Sequence, residues 1–219
     1  MKPYYETELG KLYHGDCLDI MPHLEPVDLV LTDPPYGMNN DVNSSRFSGG
    51  HRTSIIKRGQ GGRFNKQIIG DDKPFDPEPF LKFKKVILWG YTHFADRVPT
   101  GTNLIWIKRF DTAFGSFLSD AEIAWMKAGH GVYCFRDLSM MAEAKDRKHP
   151  NQKPIPLMQW CIELSKTDGV VFDPFLGSGT TAIACERLNR RWIGIEIEEK
   201  YCEIAAKRIE KETKQRKLF

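Results

Sequence analysis

Residues 170–196 constrain the fold of this chain more than any other stretch. An apolar run, Val170-Val171-Phe172, stops at Asp173-Pro174-Phe175-Leu176-Gly177-Ser178-Gly179, and a helical pattern follows from Thr180 to Leu188. Arg191-Trp192-Ile193-Gly194-Ile195-Glu196 then reads as a second strand that ends on an acid. A strand–helix–strand unit of this kind predicts an α/β sheet with its chemistry at the carboxyl ends of the strands. Gly177 and Gly179 let a ligand approach the backbone, and the helix behind them begins with unpaired N–H groups. Glu196 stands 19 positions after Gly177, close to the spacing at which an acid meets ribose hydroxyls in dinucleotide-type units. A third glycine at the dinucleotide spacing is missing, and no Gly-Lys-Ser/Thr is present. An adenosine carrying a small charged tail therefore fits better than a pyrophosphate.

A second apolar run, Val27-Asp28-Leu29-Val30-Leu31-Thr32, leads directly into Asp33-Pro34-Pro35-Tyr36. Alone, this tetrapeptide could be a turn that ends a strand. At the mouth of a nucleoside-binding sheet it has more to offer. Two prolines fix the backbone and remove two N–H donors, so local carbonyls are left to accept from elsewhere. Asp33 adds a carboxylate and Tyr36 a flat π surface. Together they suit a planar amino group such as the exocyclic amine of a nucleobase.

These two elements resemble those of the amino-group DNA methyltransferases, which modify adenine N6 or cytosine N4. The resemblance spans nearly the whole chain, with the catalytic element ahead of the cofactor element, as in the circularly permuted β arrangement. Leu12-Tyr13-His14-Gly15-Asp16-Cys17, Val86-Ile87-Leu88-Trp89-Gly90, Leu104-Ile105-Trp106-Ile107-Lys108 and His149-Pro150-Asn151-Gln152-Lys153-Pro154 resemble further landmarks in order. The resemblance implies a Rossmann-like, S-adenosylmethionine-dependent methyltransferase fold, with a mixed, mostly parallel sheet and helices on both faces. It implies Asp33, Pro34, Pro35 and Tyr36 as the catalytic set that holds the target amine. For the cofactor it implies Phe175, Gly177, Ser178, Gly179 and Thr180, with Asp16 toward the adenine and Glu196 toward the ribose. Asp173 is expected to cap its loop or to lie near the cofactor's ammonium, and Lys153 to meet its carboxylate. Asp33 favours adenine over cytosine, because the cytosine enzymes of this family more often carry Ser there. The expected activity is methyl transfer from S-adenosylmethionine to N6 of a flipped adenine.

Charge distribution points to double-stranded DNA more than the net charge of +3 does. From Val42 to Gly70 the chain carries Arg46, Arg52, Lys57, Arg58, Arg63 and Lys66 and neither Asp nor Glu. This basic, glycine-rich stretch, within a flexible loop at about 38–74, is expected to set its cations on phosphates; a solvated linker is the plainer reading. A short segment at about 129–148 is a candidate for target recognition.

The 219 residues are expected to form a single methyltransferase domain. No apolar stretch reaches membrane-spanning length and no signal-peptide pattern is present, so a cytoplasmic enzyme is expected. Cys17, Cys134, Cys161, Cys185 and Cys202 show no metal-ligand spacing; no metal is expected, and none follows a proline as a carbon-5 cytosine nucleophile would. Strands are expected at Lys11–Tyr13, Asp28–Thr32, Val86–Trp89, Asn103–Lys108, Ala121–Lys127, Val170–Phe172 and Trp192–Glu196. Helices are expected near Leu18–His23 and over Thr92–Val98, Ile155–Ser165, Thr180–Leu188 and Lys200–Lys214. The alternatives are a cytosine N4 enzyme, an RNA adenine methyltransferase, a glutamine side-chain methylase and a non-catalytic DNA-binding module. The last two fit poorly with an intact Asp33-Pro34-Pro35-Tyr36 that precedes the glycine motif. The family also admits a homodimer, for which the sequence identifies no face.

Overall fold

The strands that carry both motifs lie side by side in one eight-stranded sheet. The computed structural model describes residues 1–37, 69–115, 119–138 and 152–216. Its strands are β1 (Tyr5–Glu6), β2 (Gly10–His14), β3 (Leu29–Thr32), β4 (Val86–Trp89), β5 (Gly101–Ile107), β6 (Ala121–Arg136), β7 (Val171–Asp173) and β8 (Trp192–Glu196). They are ordered β1-β2-β8-β7-β3-β4-β6-β5. The run from β2 through β8, β7 and β3 to β4 is parallel. β3, β4, β7 and β8 are buried along their whole length, which is why they read as unbroken apolar runs and not as alternating ones. The Asp28 carboxylate accepts from the Val170 N–H at 2.7 Å, fixing the start of β3 beside that of β7.

Two apolar clusters cover the two faces. Leu29 and Leu31 of β3 join Ile87 and Trp89 of β4 under helices α3 (Ile155–Leu164), α4 (Thr180–Arg187) and α5 (Glu199–Arg216). Val30, Val86, Leu88, Phe172 and Ile193 face the other way, toward Phe75, Phe94 and two short helices, α1 (Cys17–Ile20) and α2 (Glu78–Leu81), which bring Ile20 and Phe80. Successive strand residues thus feed opposite clusters, the two-residue period of a sheet covered on both sides. Cys17, Cys161, Cys185 and Cys202 are buried and Cys134 is exposed.

Two expected elements differ. In place of one helix over Thr92–Val98 there are two 3₁₀ turns, Tyr91–His93 and Ala95–Arg97. Phe94, at φ −145°, breaks the helical path and sends its ring wholly into the core. The strand expected at Ala121–Lys127 continues to Arg136 and pairs with β5 twice. Its first half runs against β5, from Thr102↔Met126 to Ile107↔Ala121, and its second half runs with it, from Asn103↔Val132 to Ile107↔Arg136. Ala128 and Gly129, both at positive φ (71° and 74°), carry the chain around the start of β5. The segment expected at about 129–148 for recognition therefore begins as an edge strand, and residues 139–148 lie outside the described residues. Among the described residues no helix is long and apolar enough to cross a membrane.

Candidate active site

The carboxyl ends of β2, β3, β7 and β8 open onto one cavity of about 310 Å³. Asp16, Asp33, Pro34, Pro35, Lys153, Asp173, Phe175, Gly177, Ser178, Thr180 and Glu196 all line it, so most of the residues singled out from sequence converge there. Tyr36 and Gly179 adjoin lining residues in the chain without lining the cavity themselves. Arg46, Arg52, Lys57, Arg58, Arg63 and Lys66 lie outside the described residues, as does His149.

Asp173 ends β7 and is buried. Its carboxylate accepts from the Thr32 hydroxyl at 2.6 Å, the Thr181 hydroxyl at 2.5 Å and the Phe175 N–H at 3.1 Å. Burial pushes its carboxyl up to about 6, although the Thr181 and Thr32 hydroxyls pull the other way. The residue is thus the knot that ties β3, β7 and α4 together at the cavity floor. Beyond it, Gly179 at φ +86° caps α4, a conformation that costs other residues about 1–2 kcal/mol. A side chain there would also meet Ala205 of α5 at 3.1 Å. Ser178 is held from behind by Arg208 of α5, which donates to its carbonyl and, at 2.8 Å, to its hydroxyl.

Glu196, at the end of β8, accepts the Gly177 N–H and the Glu198 N–H, each at 2.8 Å, one on each oxygen. Burial raises it to about 7 in spite of those two donors. Asp16 caps α1 by accepting the Leu18 N–H at 2.8 Å. Phe175 meets Phe75 and Phe80 edge to face, at 6.0 and 5.8 Å between centroids, and closes an aromatic wall. Among the described residues the cavity lining carries Asp16, Asp33, Asp76, Asp173, Glu196 and Glu198 against Lys73 and Lys153. A field of that sign suits a cationic ligand and repels a pyrophosphate.

Asp33 projects from the loop after β3 into a chain of ionic contacts. The Tyr36 hydroxyl donates to one of its oxygens, and the Lys153 ammonium meets the other at 2.5 Å. Lys153 also reaches Glu122 of β6 at 3.1 Å, and Glu122 meets Lys108 at 2.7 Å. Burial raises the Asp33 carboxyl above the ordinary carboxylate range, against the pull of Lys153. Burial works against the Lys153 ammonium too, but Asp33, Tyr36 and Glu122 outweigh it and hold Lys153 well above the ordinary lysine value. Glu122 is lowered to about 2: burial opposes its charge, and Lys153 and Lys108 prevail. Lys153, expected at a cofactor carboxylate, is thus committed to Asp33 and Glu122 while still lining the cavity.

The Tyr36 ring stacks on His93, at 4.6 Å between centroids and 17° between planes. It also lies against Gly90, where a β-carbon would fall within 1.9 Å of the ring. Sequence reasoning missed Glu122, Lys108 and His93. Each is remote from both motifs, and a lone acid, lysine or histidine carries no local signal; only the sheet order brings them together. The wall formed by Phe75, just ahead of α2, and Phe80, on it, was equally silent, since scattered aromatics read as ordinary core.

Comparison with known proteins agrees with this geometry. The N6_N4_Mtase family model, described as DNA methylase, matches residues 125–207. The type II methyltransferase M.HpaI of Haemophilus parainfluenzae is 47% identical over 249 aligned positions, which cover 92% of this chain and 74% of that protein. The crystal structure of the M1.HpyAVI–SAM complex superposes with a TM-score of 0.58 at 22% identity, over 91% of this chain and all (100%) of that one. PvuII DNA methyltransferase, described as cytosine-N4-specific, gives a TM-score of 0.56 at 18% identity, covering 98% and 94% of the two chains. The two structures are alike in fold.

Proposed function

The chain belongs to the N6/N4 family of DNA methylases, and on that premise we propose that it methylates N6 of a flipped adenine in double-stranded DNA, with S-adenosylmethionine as cofactor. The acidic cavity carries this reading. Its acids outnumber its lysines, as suits a cofactor with a positively charged sulfur and an ammonium. Glu196 would face the ribose hydroxyls and Asp16 the adenine. Phe175, Gly177, Ser178 and Thr180 would line the nucleoside, with Gly179 shaping the turn and Asp173 bracing the floor. Bound there, the cofactor supplies an electrophilic methyl group.

The remaining work falls to the chain. The target base must leave the duplex, because its amine cannot reach the cavity from inside the stack. Asp33 and the Pro34 carbonyl accept hydrogen bonds from the amino group and draw its lone pair out of conjugation. Pro35 keeps that loop rigid. Tyr36 stacks on the flipped base; such stacking is worth about 1–3 kcal/mol. No covalent enzyme intermediate is needed, and Asp33 need not be a strong base, since the amine sheds its proton more easily once methylated. Acting on DNA, the enzyme would work inside the cell.

Labelled S-adenosylmethionine and mixed-sequence duplex DNA, digested and read by mass spectrometry, test this directly. N6-methyladenine is the expected product. N4-methylcytosine would keep the mechanism and overturn the adenine assignment, and an absence of any methylated nucleoside would overturn the DNA reading. Asp33→Ala is expected to lower transfer by about 100-fold or more while leaving cofactor binding in place; full activity in that variant would overturn the mechanism.

A further inference from the structure

The ionic chain behind Asp33 reaches further than the cavity. It runs from the loop after β3 to Lys153 ahead of α3, then to Glu122 on β6 and to Lys108 just past β5. The signs alternate at every contact, and the two inner members are more buried than the two outer ones. The Lys153 side chain is 7% exposed, whereas those of Lys108 and Glu122 are 27% and 33% exposed. Neither Glu122 nor Lys108 lines the cavity. A lysine carries about 2 kcal/mol of rotamer entropy, so an ammonium left with one carboxylate would be free to swing. A second carboxylate fixes where it points.

We propose that Glu122 and Lys108 are positioning residues: through Lys153 they fix the orientation of the Asp33 carboxylate, and by their own charges they set its ionisation. The proposal rests on the assignment of Asp33 as the acceptor of the target amine and adds the residues that control it. Four charged or titratable groups bear on Asp33. Lys153 and Tyr36 touch it, Glu122 faces it from β6, and Asp173 acts from the end of β7. Lys108 acts one step removed, by neutralising Glu122. Lys153 favours the Asp33 anion and Glu122 opposes it, so removing the charge of one or of the other must move Asp33 in opposite directions.

The test is the titration of the Asp33 carboxyl, followed by carbon-13 NMR in the full-length protein, in the wild type and in Lys153→Met, Glu122→Gln and Lys108→Met. Lys153→Met is expected to raise the Asp33 midpoint by about one pH unit or more. Glu122→Gln lowers it, and Lys108→Met raises it by a smaller amount by leaving Glu122 uncompensated. Lys153→Met strands a buried carboxylate and could unfold the chain; the two outer variants change half-exposed residues and decide the matter alone. The acidic limb of the transfer rate against pH should follow the same signs, with cofactor affinity unchanged in both outer variants and the wild-type rate restored by Glu122→Asp. An Asp33 midpoint that is identical in wild type, Glu122→Gln and Lys108→Met overturns the proposal. The NMR titration needs no turnover, so a wild type that transfers nothing to DNA would sink the functional assignment and leave the titration to judge the ionic chain.

Discussion

Glu196 spends its two oxygens on backbone N–H groups and still sits near neutrality, because burial raises it from 4.5 to about 7. Its folded value lies above the ordinary one, so the ligand-free protein loses stability as pH rises between those two values. A ribose hydroxyl that donates to the anion favours the ionised form. Cofactor affinity is therefore expected to rise by about tenfold between pH 6 and 8, and calorimetric titration of Glu196→Gln should show that slope flattened. Gly90 gives a second prediction at this scale. At φ +77°, with the Tyr36 ring where its β-carbon would go, Gly90→Ala should displace Tyr36 and cut the transfer rate on the order of 100-fold. Cofactor affinity, measured on the same preparation, should hold. Of these residues the sequence announced Glu196 and Tyr36, because each stands at a motif position. It was silent about Gly90's role, since a glycine's neighbours are set by tertiary contact alone.

β3 and β7 are hydrogen-bonded neighbours, although Thr32 and Asp173 lie 141 positions apart. Asp173 joins them and anchors α4 through Thr181. Thr181→Val keeps the shape but removes one donor to a buried acid, an expected cost of about 1–3 kcal/mol that thermal unfolding at pH 8 would register. At pH 5, below the value of about 6 held by Asp173, the cost should shrink, because the protonated acid asks less of its donors. The parallel strands were legible because burial on both faces leaves one unbroken apolar run. The outer half of β6 was not: Val132, Tyr133 and Cys134 are exposed on an edge, where no apolar period marks the strand. Nor were the turns around Phe94, since one buried ring outweighed the helical preference of its neighbours.

For the molecule as a whole, the proposed DNA substrate predicts a steep dependence on salt. Replacing Arg46, Arg52, Lys57, Arg58, Arg63 and Lys66 together should weaken duplex binding and flatten its slope against log salt by up to about five; an unchanged slope would return that stretch to linker status. The order of the motifs along the chain was legible, and the sheet explains why that order does not matter to the site: strands far apart in sequence deliver their ends to one rim. The doubled pairing of β6 has a consequence for how the molecule comes apart. Residues 132–136 shield the far flank of β5, and β6 and β4 still separate β5 from β3. Fraying from that edge, where local opening is easiest, must peel away one layer after another before Asp33 is disturbed, so amide exchange should fade inward from Val132 as a gradient, with the reactive loop at its protected end.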